Sequence, residues 1–246
     1  MRVWLRGSIW PGENTSWRAI PALEKHVWQW QISADRGDYG MYQLYTRAGS
    51  GGFVVEAALE LAGVPFECIN VVKGTDPDDR FRTISPLGQV PVLVLPDGGA
   101  MTESAAMCQL VAERHPQAGL APASDASGRA DFLRWLTFQS SVMYPALLRY
   151  YYAQRYTADP QGIEAVKVAA VAESDRGFGI IDAALRGRSW LAGDRMSIAD
   201  VYLLMLAYWH PQAGKVAATW PEIERICAML RDVPVIKDLN VRHELW

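Results

Sequence analysis

A chain of 246 residues, half of them hydrophobic and a fifth charged, has enough apolar side chain for a sizeable core in one large domain or two small ones. A net charge of −3 offers no basic surface for nucleic acid or an anionic membrane, and no apolar run nears the roughly 18 residues that span a bilayer. Three scattered cysteines (Cys68, Cys108, Cys227) exclude a disulfide framework, and Met1–Gly7 lacks the apolar heart of a signal peptide, which together point to the cytoplasm.

Residues 1–40 hold five of the ten tryptophans and show neither helical nor strand period. Purine-rich codons can encode Arg36-Gly37-Asp38 just ahead of Met41. We therefore read this extension as upstream sequence translated from an early start, the alternative being a genuine Trp-rich arm. From Met41 the pattern is orderly. Tyr42–Tyr45 reads as a strand, Ser50–Gly63 as a helix carrying Val54, Val55, Ala58 and Leu61, and Phe66–Val71 as a second strand. Lys73-Gly74-Thr75-Asp76-Pro77 is a loop.

Ser85-Pro86-Leu87-Gly88-Gln89-Val90-Pro91-Val92-Leu93 then puts a proline between β-branched residues in a run that otherwise reads as strand. Proline cannot donate a ladder hydrogen bond. A cis Val90–Pro91 bond resolves the conflict and leaves the Val90 N–H and C=O free to pair with an extended peptide; the plainer reading is an edge-strand proline. Val92–Leu95 enters a turn at Pro96–Gly99 and Ala100–Thr102 returns. Thr102-Glu103-Ser104 opens a helix to about His115, and such a start attracts a carboxylate. The order predicts an α/β sandwich of the thioredoxin type.

A Pro-, Gly-, Ala- and Ser-rich run from Pro116 to Ser127 separates this part from the rest. The expected layout is an extension (1–40), a thioredoxin-like domain (41–116), a linker (117–127) and an all-helical domain (128–246). In the last, Arg129–Arg155 is expected as one helix kinked at Pro145, followed by a helix over roughly Gln161–Leu185. Ser197-Ile198-Ala199-Asp200 has capping-box spacing, with Asp replacing the usual Glu or Gln. Val201–Trp209 is apolar nearly all round, hence the buried centre, and Pro221 and Pro234 start two short helices. The four histidines show no metal-ligand spacing with each other or with the cysteines.

SPLGQVPVL, TES at a helix start and WLAGDRMSIADVYLLMLAYW, in this order and spacing, make residues 41 to about 240 resemble the cytosolic glutathione transferase family, nearest to its bacterial beta-class members. The resemblance implies a homodimer, glutathione as co-substrate without a metal, and a cleft between the domains for a small hydrophobic electrophile. It implies that Val90, before Pro91, pairs with the cysteinyl unit, that Glu103 takes the γ-glutamyl ammonium and Ser104 its carboxylate, and that Gln89 and Lys73 reach the glycyl carboxylate. Tyr144 and Trp209 would line the electrophile pocket. The plainer readings are a helix-start charge for Glu103, core packing for Tyr144 and Trp209, a capping role for Ser197 and Asp200, and a small buried hydrophobe for Cys108.

Such an enzyme must stabilise the bound thiolate. A free cysteine thiol has a pKa near 8.5, and a helix N-terminus lowers it to about 7 or below. In Tyr45-Thr46-Arg47-Ala48-Gly49-Ser50-Gly51-Gly52-Phe53, the resemblance puts Gly51 at the beta-class cysteine position and Gly49 at the serine position of other classes. Ser50 is then the expected catalytic donor, supplemented or replaced by the Gly51 and Gly52 N–H groups, with Tyr45 and Thr46 as lesser candidates; a simple N-cap is the other reading of Ser50. Without a loop cysteine, a mixed disulfide with glutathione is disfavoured. The expected function is conjugation of glutathione to a hydrophobic electrophile in detoxification. A glutathione-binding regulatory protein, and a glutathione-dependent isomerase, dehalogenase or reductase, are the alternatives.

Overall fold

The first ordered segment is a run of aromatic and aliphatic side chains suited to a pleated, buried surface. In the computed structural model, which describes residues 40–212 and 214–246, it forms β1 (Tyr42–Thr46). The two readings of residues 1–40 lie outside the described residues, Gly40 apart. β1 sits inside a four-stranded sheet of order β2-β1-β3-β4, with β2 (Phe66–Asn70), β3 (Val92–Val94) and β4 (Ala100–Met101). β1 and β2 are parallel and therefore need the crossover helix α1 (Gly52–Ala62) between them; β3 and β4 are antiparallel across a tight turn. Helix α1 ends at Gly63, whose φ of 66° suits a residue without a Cβ, and its N–H bonds back to Glu60 and Leu59.

Each face of the sheet has its own cover. Tyr45, Val71, Val92 and Val94 pack on one side against Phe81 and Ile84 of α2 (Phe81–Ile84), a single turn for which the sequence reading named no element. Four residues are too few for a helical period to register. On the other side lie α1 and α3 (Ser104–Arg114). Every residue of α1 from Gly52 to Leu59 is buried, because sheet, α3 and the helical half enclose it.

The helical half departs from the single kinked rod expected over Arg129–Arg155. Helix α4 (Arg129–Phe138) passes into a π-helical turn at Gln139–Met143, then into α5 (Tyr144–Tyr151). The break falls before Pro145. That residue has no N–H for the Ser141 carbonyl, and the Ser140 and Ser141 hydroxyls donate to the Thr137 carbonyl at 3.1 and 2.8 Å, competing with the ladder. The Tyr144 N–H consequently reaches the Gln139 carbonyl, five residues back.

Helix α6 (Ile163–Leu185) follows, then α7 (Ile198–Tyr208), buried at every position from Ile198 to Ala207 as its composition demanded. Full burial of each leucine there contributes about 1.5–3 kcal/mol. Its cap forms as the spacing predicts. The Asp200 carboxylate accepts the Ser197 N–H and O–H, both at 2.8 Å, and also the Leu191 N–H at 2.9 Å. Burial pushes the Asp200 carboxyl up to about 6 while these donors pull it back. A short unpredicted helix α8 (Lys215–Thr219) precedes the expected α9 (Pro221–Arg231) and α10 (Pro234–His243), each with its proline in the first turn. One core runs unbroken from Tyr42 and Leu44 through α1 and α3 into α7, α9 and α10. Among the described residues, no helix is long and apolar enough to cross a membrane.

Candidate functional site

The segment before β3 is built from backbone. The Val90–Pro91 bond is cis. Since β3 lies between β1 and β4, Pro91 is not an edge-strand proline; it stands just outside the ladder, whose last pair is Tyr45 with Val92. Continuing that antiparallel register sets Pro91 opposite Thr46 and Val90 opposite Arg47, where the chain leaves β1 for α1. The Ser85 hydroxyl fixes the approach by donating to the Gln89 carbonyl at 2.8 Å and accepting the Gln89 N–H at 3.0 Å, which leaves the Gln89 side chain exposed.

At the start of α3, Glu103 is exposed and has a φ of 70°, a left-handed conformation uncommon for a residue with a side chain. Such departures cluster at ligand sites, because the surroundings must hold them in place. Ser104, next along, is buried, with its hydroxyl 2.9 Å from that of Tyr202 on α7. Burial pushes the Tyr202 phenol well above its ordinary range, and the Ser104 hydrogen bond opposes that rise. The hydroxyl of Tyr202 on a largely apolar helix was the available sign of this link; the sequence reading gave Trp209 of that helix to the pocket and left Tyr202 in the buried centre.

At the start of α1 the expected donor is engaged within its own turn. The Ser50 hydroxyl donates to the Arg47 carbonyl at 2.7 Å and accepts the Gly52 N–H at 3.2 Å. In this arrangement the hydroxyl's one proton is used within the turn, and its oxygen holds the loop that opens α1 at Gly51, the residue in the N-cap position. The same bond engages the Gly52 N–H. Tyr45 is also displaced from the site: alternation along β1 sends its ring to the α2 face, where it stacks on Phe81 with centroids 5.7 Å apart and its hydroxyl donates to Asp78 at 2.9 Å. Burial first, then Asp78, pushes that phenol up to about 12. The Thr46 hydroxyl is buried without a partner among the described residues, beneath Gly52, where an added Cβ would meet it at 1.8 Å.

Gly51 opens in another direction. A Cβ there would lie 2.6 Å from the Tyr144 hydroxyl. Tyr144, at the start of α5, packs edge-on against Trp209 at 5.0 Å between centroids and tilts against Tyr202 at 6.3 Å. Tyr151 donates to the Trp209 carbonyl at 2.8 Å. The structure thus brings Tyr144 and Trp209 together beside the α1 start, while Tyr202 of the same aromatic wall touches the α3 start. Lys73 lies exposed in its loop with its ammonium 5.0 Å above the Tyr152 ring, which also receives Arg155 at 4.2 Å. Cys108 is buried, its thiol 3.6 Å from the Val54 carbonyl, and burial pushes its pKa up, as suits a packing residue.

The glutathione S-transferase N-terminal domain model matches residues 54–114, and the C-terminal domain model matches residues 138–230. A glutathione S-transferase of Xanthomonas campestris pv. campestris is 30% identical over 172 residues, spanning 70% of this chain and 84% of that protein. A bacterial beta-class glutathione S-transferase of Sphingomonas chungbukensis superposes with a TM-score of 0.72 at 25% identity, covering 83% of this chain and all of the other. A sphingomonad glutathione S-transferase complexed with glutathione does so with a TM-score of 0.70 at 26% identity and the same coverage. With a thioredoxin-like sheet, an all-helical half and these matches across both, the chain belongs to the glutathione S-transferase family.

Proposed function

We propose that this protein binds glutathione across the two helix starts and conjugates its thiolate to a small hydrophobic electrophile. The observation that carries the reading is the single aromatic wall that reaches both starts, Tyr144 at Gly51 and Tyr202 at Ser104. In this reading the Val90 backbone pairs with the cysteinyl unit beside Pro91. Glu103 takes the γ-glutamyl ammonium, and Ser104 with the α3 dipole takes the carboxylate. Gln89 and Lys73 reach for the glycyl carboxylate. The sulfur then falls at the α1 start, whose positive end favours the thiolate.

Tyr144 and Trp209 supply a face for an apolar electrophile, and the rate gain comes from holding it against the sulfur. The protein works in the cytoplasm as a homodimer; light scattering on the purified chain tests the dimer directly. Calorimetry with glutathione, followed by rate measurements on chlorinated nitrobenzenes, epoxides and enones, tests the function. Binding with turnover of at least one class supports it. Tight binding with no turnover on any of them supports a regulatory glutathione-binding protein instead, and absence of binding removes both.

A further inference from the structure

We propose that the phenol of Tyr144, supplied by the helical half, is the side-chain donor to the glutathione sulfur. The inference rests on the glutathione reading above and assigns the group that the α1 loop itself lacks. At Gly51 the Tyr144 hydroxyl occupies the space into which any side chain at that position would project, 2.6 Å from where its first carbon would be. The nearby hydroxyls of the thioredoxin-like half are otherwise disposed: Ser50 donates to Arg47, Tyr45 faces α2, and Thr46 is shut beneath Gly52. Among the described residues, no hydrogen bond engages the Tyr144 hydroxyl, although its ring is held on two sides by Trp209 and Tyr202.

The backbone delivers this group. The π-helical turn at Gln139–Met143 advances the chain by one residue just before Tyr144, and π turns recur at functional sites for this reason. That turn is anchored, since buried Gln139 donates from Nε2 to the Ala199 carbonyl at 3.0 Å. It also lies close against α6, where a Cβ at Gly177 would come within 2.8 Å of Met143. Burial, then the neighbouring Tyr152 and Glu103, push the phenol up to about 12 against the pull of Arg47. The Tyr144 proton therefore stays on oxygen while a cysteine thiol nearby ionises, which makes the phenol a donor to sulfur and not a base.

Proton and electron movements balance without further reagents. The thiol proton leaves to solvent, and the thiolate accepts the Tyr144 O–H hydrogen bond. A sulfur lone pair forms the C–S bond to the electrophilic carbon. In a substitution the leaving group departs with its bonding pair; in a conjugate addition the displaced pair moves onto the acceptor, which water then protonates. Tyr144 keeps its proton throughout.

The test is ultraviolet titration of the bound thiolate in the full chain at saturating glutathione, for wild type, Tyr144→Phe and Gly51→Ala. A hydrogen bond to a charged group is strong enough that its loss raises the bound thiol pKa by about one to two pH units. Conjugation of an activated chloronitrobenzene at neutral pH then falls about 10–100-fold in kcat, with glutathione affinity within about twofold of wild type. Gly51→Ala, whose methyl displaces the phenol, shifts the titration the same way. A Tyr144→Phe titration superimposable on wild type overturns the assignment while leaving glutathione transfer standing. A wild type that binds glutathione with an ordinary thiol pKa also overturns it, and a wild type that does not bind glutathione overturns both readings.

Discussion

The two helix starts that face the aromatic wall are made in opposite ways. At the start of α3 the chain supplies side chains: Glu103 stands exposed in a left-handed conformation and Ser104 is fixed by Tyr202. At the start of α1 it withdraws them. Gly51 and Gly52 have none, Ser50 is tied to the turn, and Thr46 lies underneath. In the proposed binding mode a charged amino-acid terminus meets the first, and such a terminus needs fixed, oriented partners. In the same proposal the sulfur lies at the second, and a sulfur that must meet an incoming electrophile needs open space and a donor from the far side.

The largest expected effect separates the two glycines. Gly52→Ala forces a methyl to within 1.8 Å of the Thr46 hydroxyl and 2.8 Å of its Cβ. The main chain must move, at a cost of about 2–3 kcal/mol, read as a melting temperature roughly 5–10 °C lower. Gly51→Ala meets only the tip of a tyrosine and should melt within about 1 kcal/mol of wild type. Equal melting temperatures for the two variants would erase the distinction drawn here.

Next comes Glu103 at the other start. On the proposed binding mode Glu103→Ala removes a charge-assisted contact to the ammonium, so the expected outcome is a glutathione affinity, measured by calorimetry, about 10–100-fold lower. Glu103→Gly should lose the same affinity while melting within about 1 kcal/mol of wild type, because glycine takes a positive φ without strain. An unchanged isotherm in both variants would leave the α3 start without a ligand role.

The contrast also explains what was legible in the sequence. Pro91 between valines is a local contradiction with two resolutions, of which the cis bond is the one found, and Ser197 with Asp200 is a local spacing, so both were legible in the sequence. The apolar Val201–Trp209 run named the buried helix for the same reason. Ser50 stayed ambiguous in the sequence because a serine there suits a turn and a site equally well; its bond to the Arg47 carbonyl, three residues back, is visible only in the fold. Tyr144 was placed near the pocket, but its approach to Gly51 depends on packing between segments more than ninety positions apart. The π turn that delivers it had a sequence sign, two serines shortly before Pro145, which the reading of one kinked helix passed over.

A smaller effect tests how the α3 start is supported. Ser104→Ala leaves the buried Tyr202 hydroxyl without its partner, and Tyr202→Phe removes that hydroxyl while Ser104 keeps other ways to bond. Each should cost about 1–2 kcal/mol in chemical unfolding, and the double variant should cost about 1 kcal/mol less than their sum. Strict additivity would mean that the two hydroxyls are neighbours without coupling.

The smallest effect concerns what stands behind the α1 start. Glu56, buried in α1, is gripped by two residues at the end of α10: His243 with Nε2 2.7 Å from one carboxylate oxygen, and Arg242 donating to the other at 2.9 Å. Arg242 also reaches Glu60 at 3.0 Å. Burial works to raise the Glu56 carboxyl, and the His243 and Arg242 donors outweigh it, so the group titrates below its ordinary 4.5. On acidification the unfolded chain therefore takes up this proton first. The stability contributed by the grip is complete above about pH 4.5 and is lost as pH falls through the lower folded value. Arg242 is half exposed, so solvent weakens its share and the grip should contribute only about 1 kcal/mol. Unfolding free energies of wild type and Glu56→Gln should differ by that amount at neutral pH and converge in acid; a gap that persists there would mean that Glu56 holds α1 by shape and not by charge.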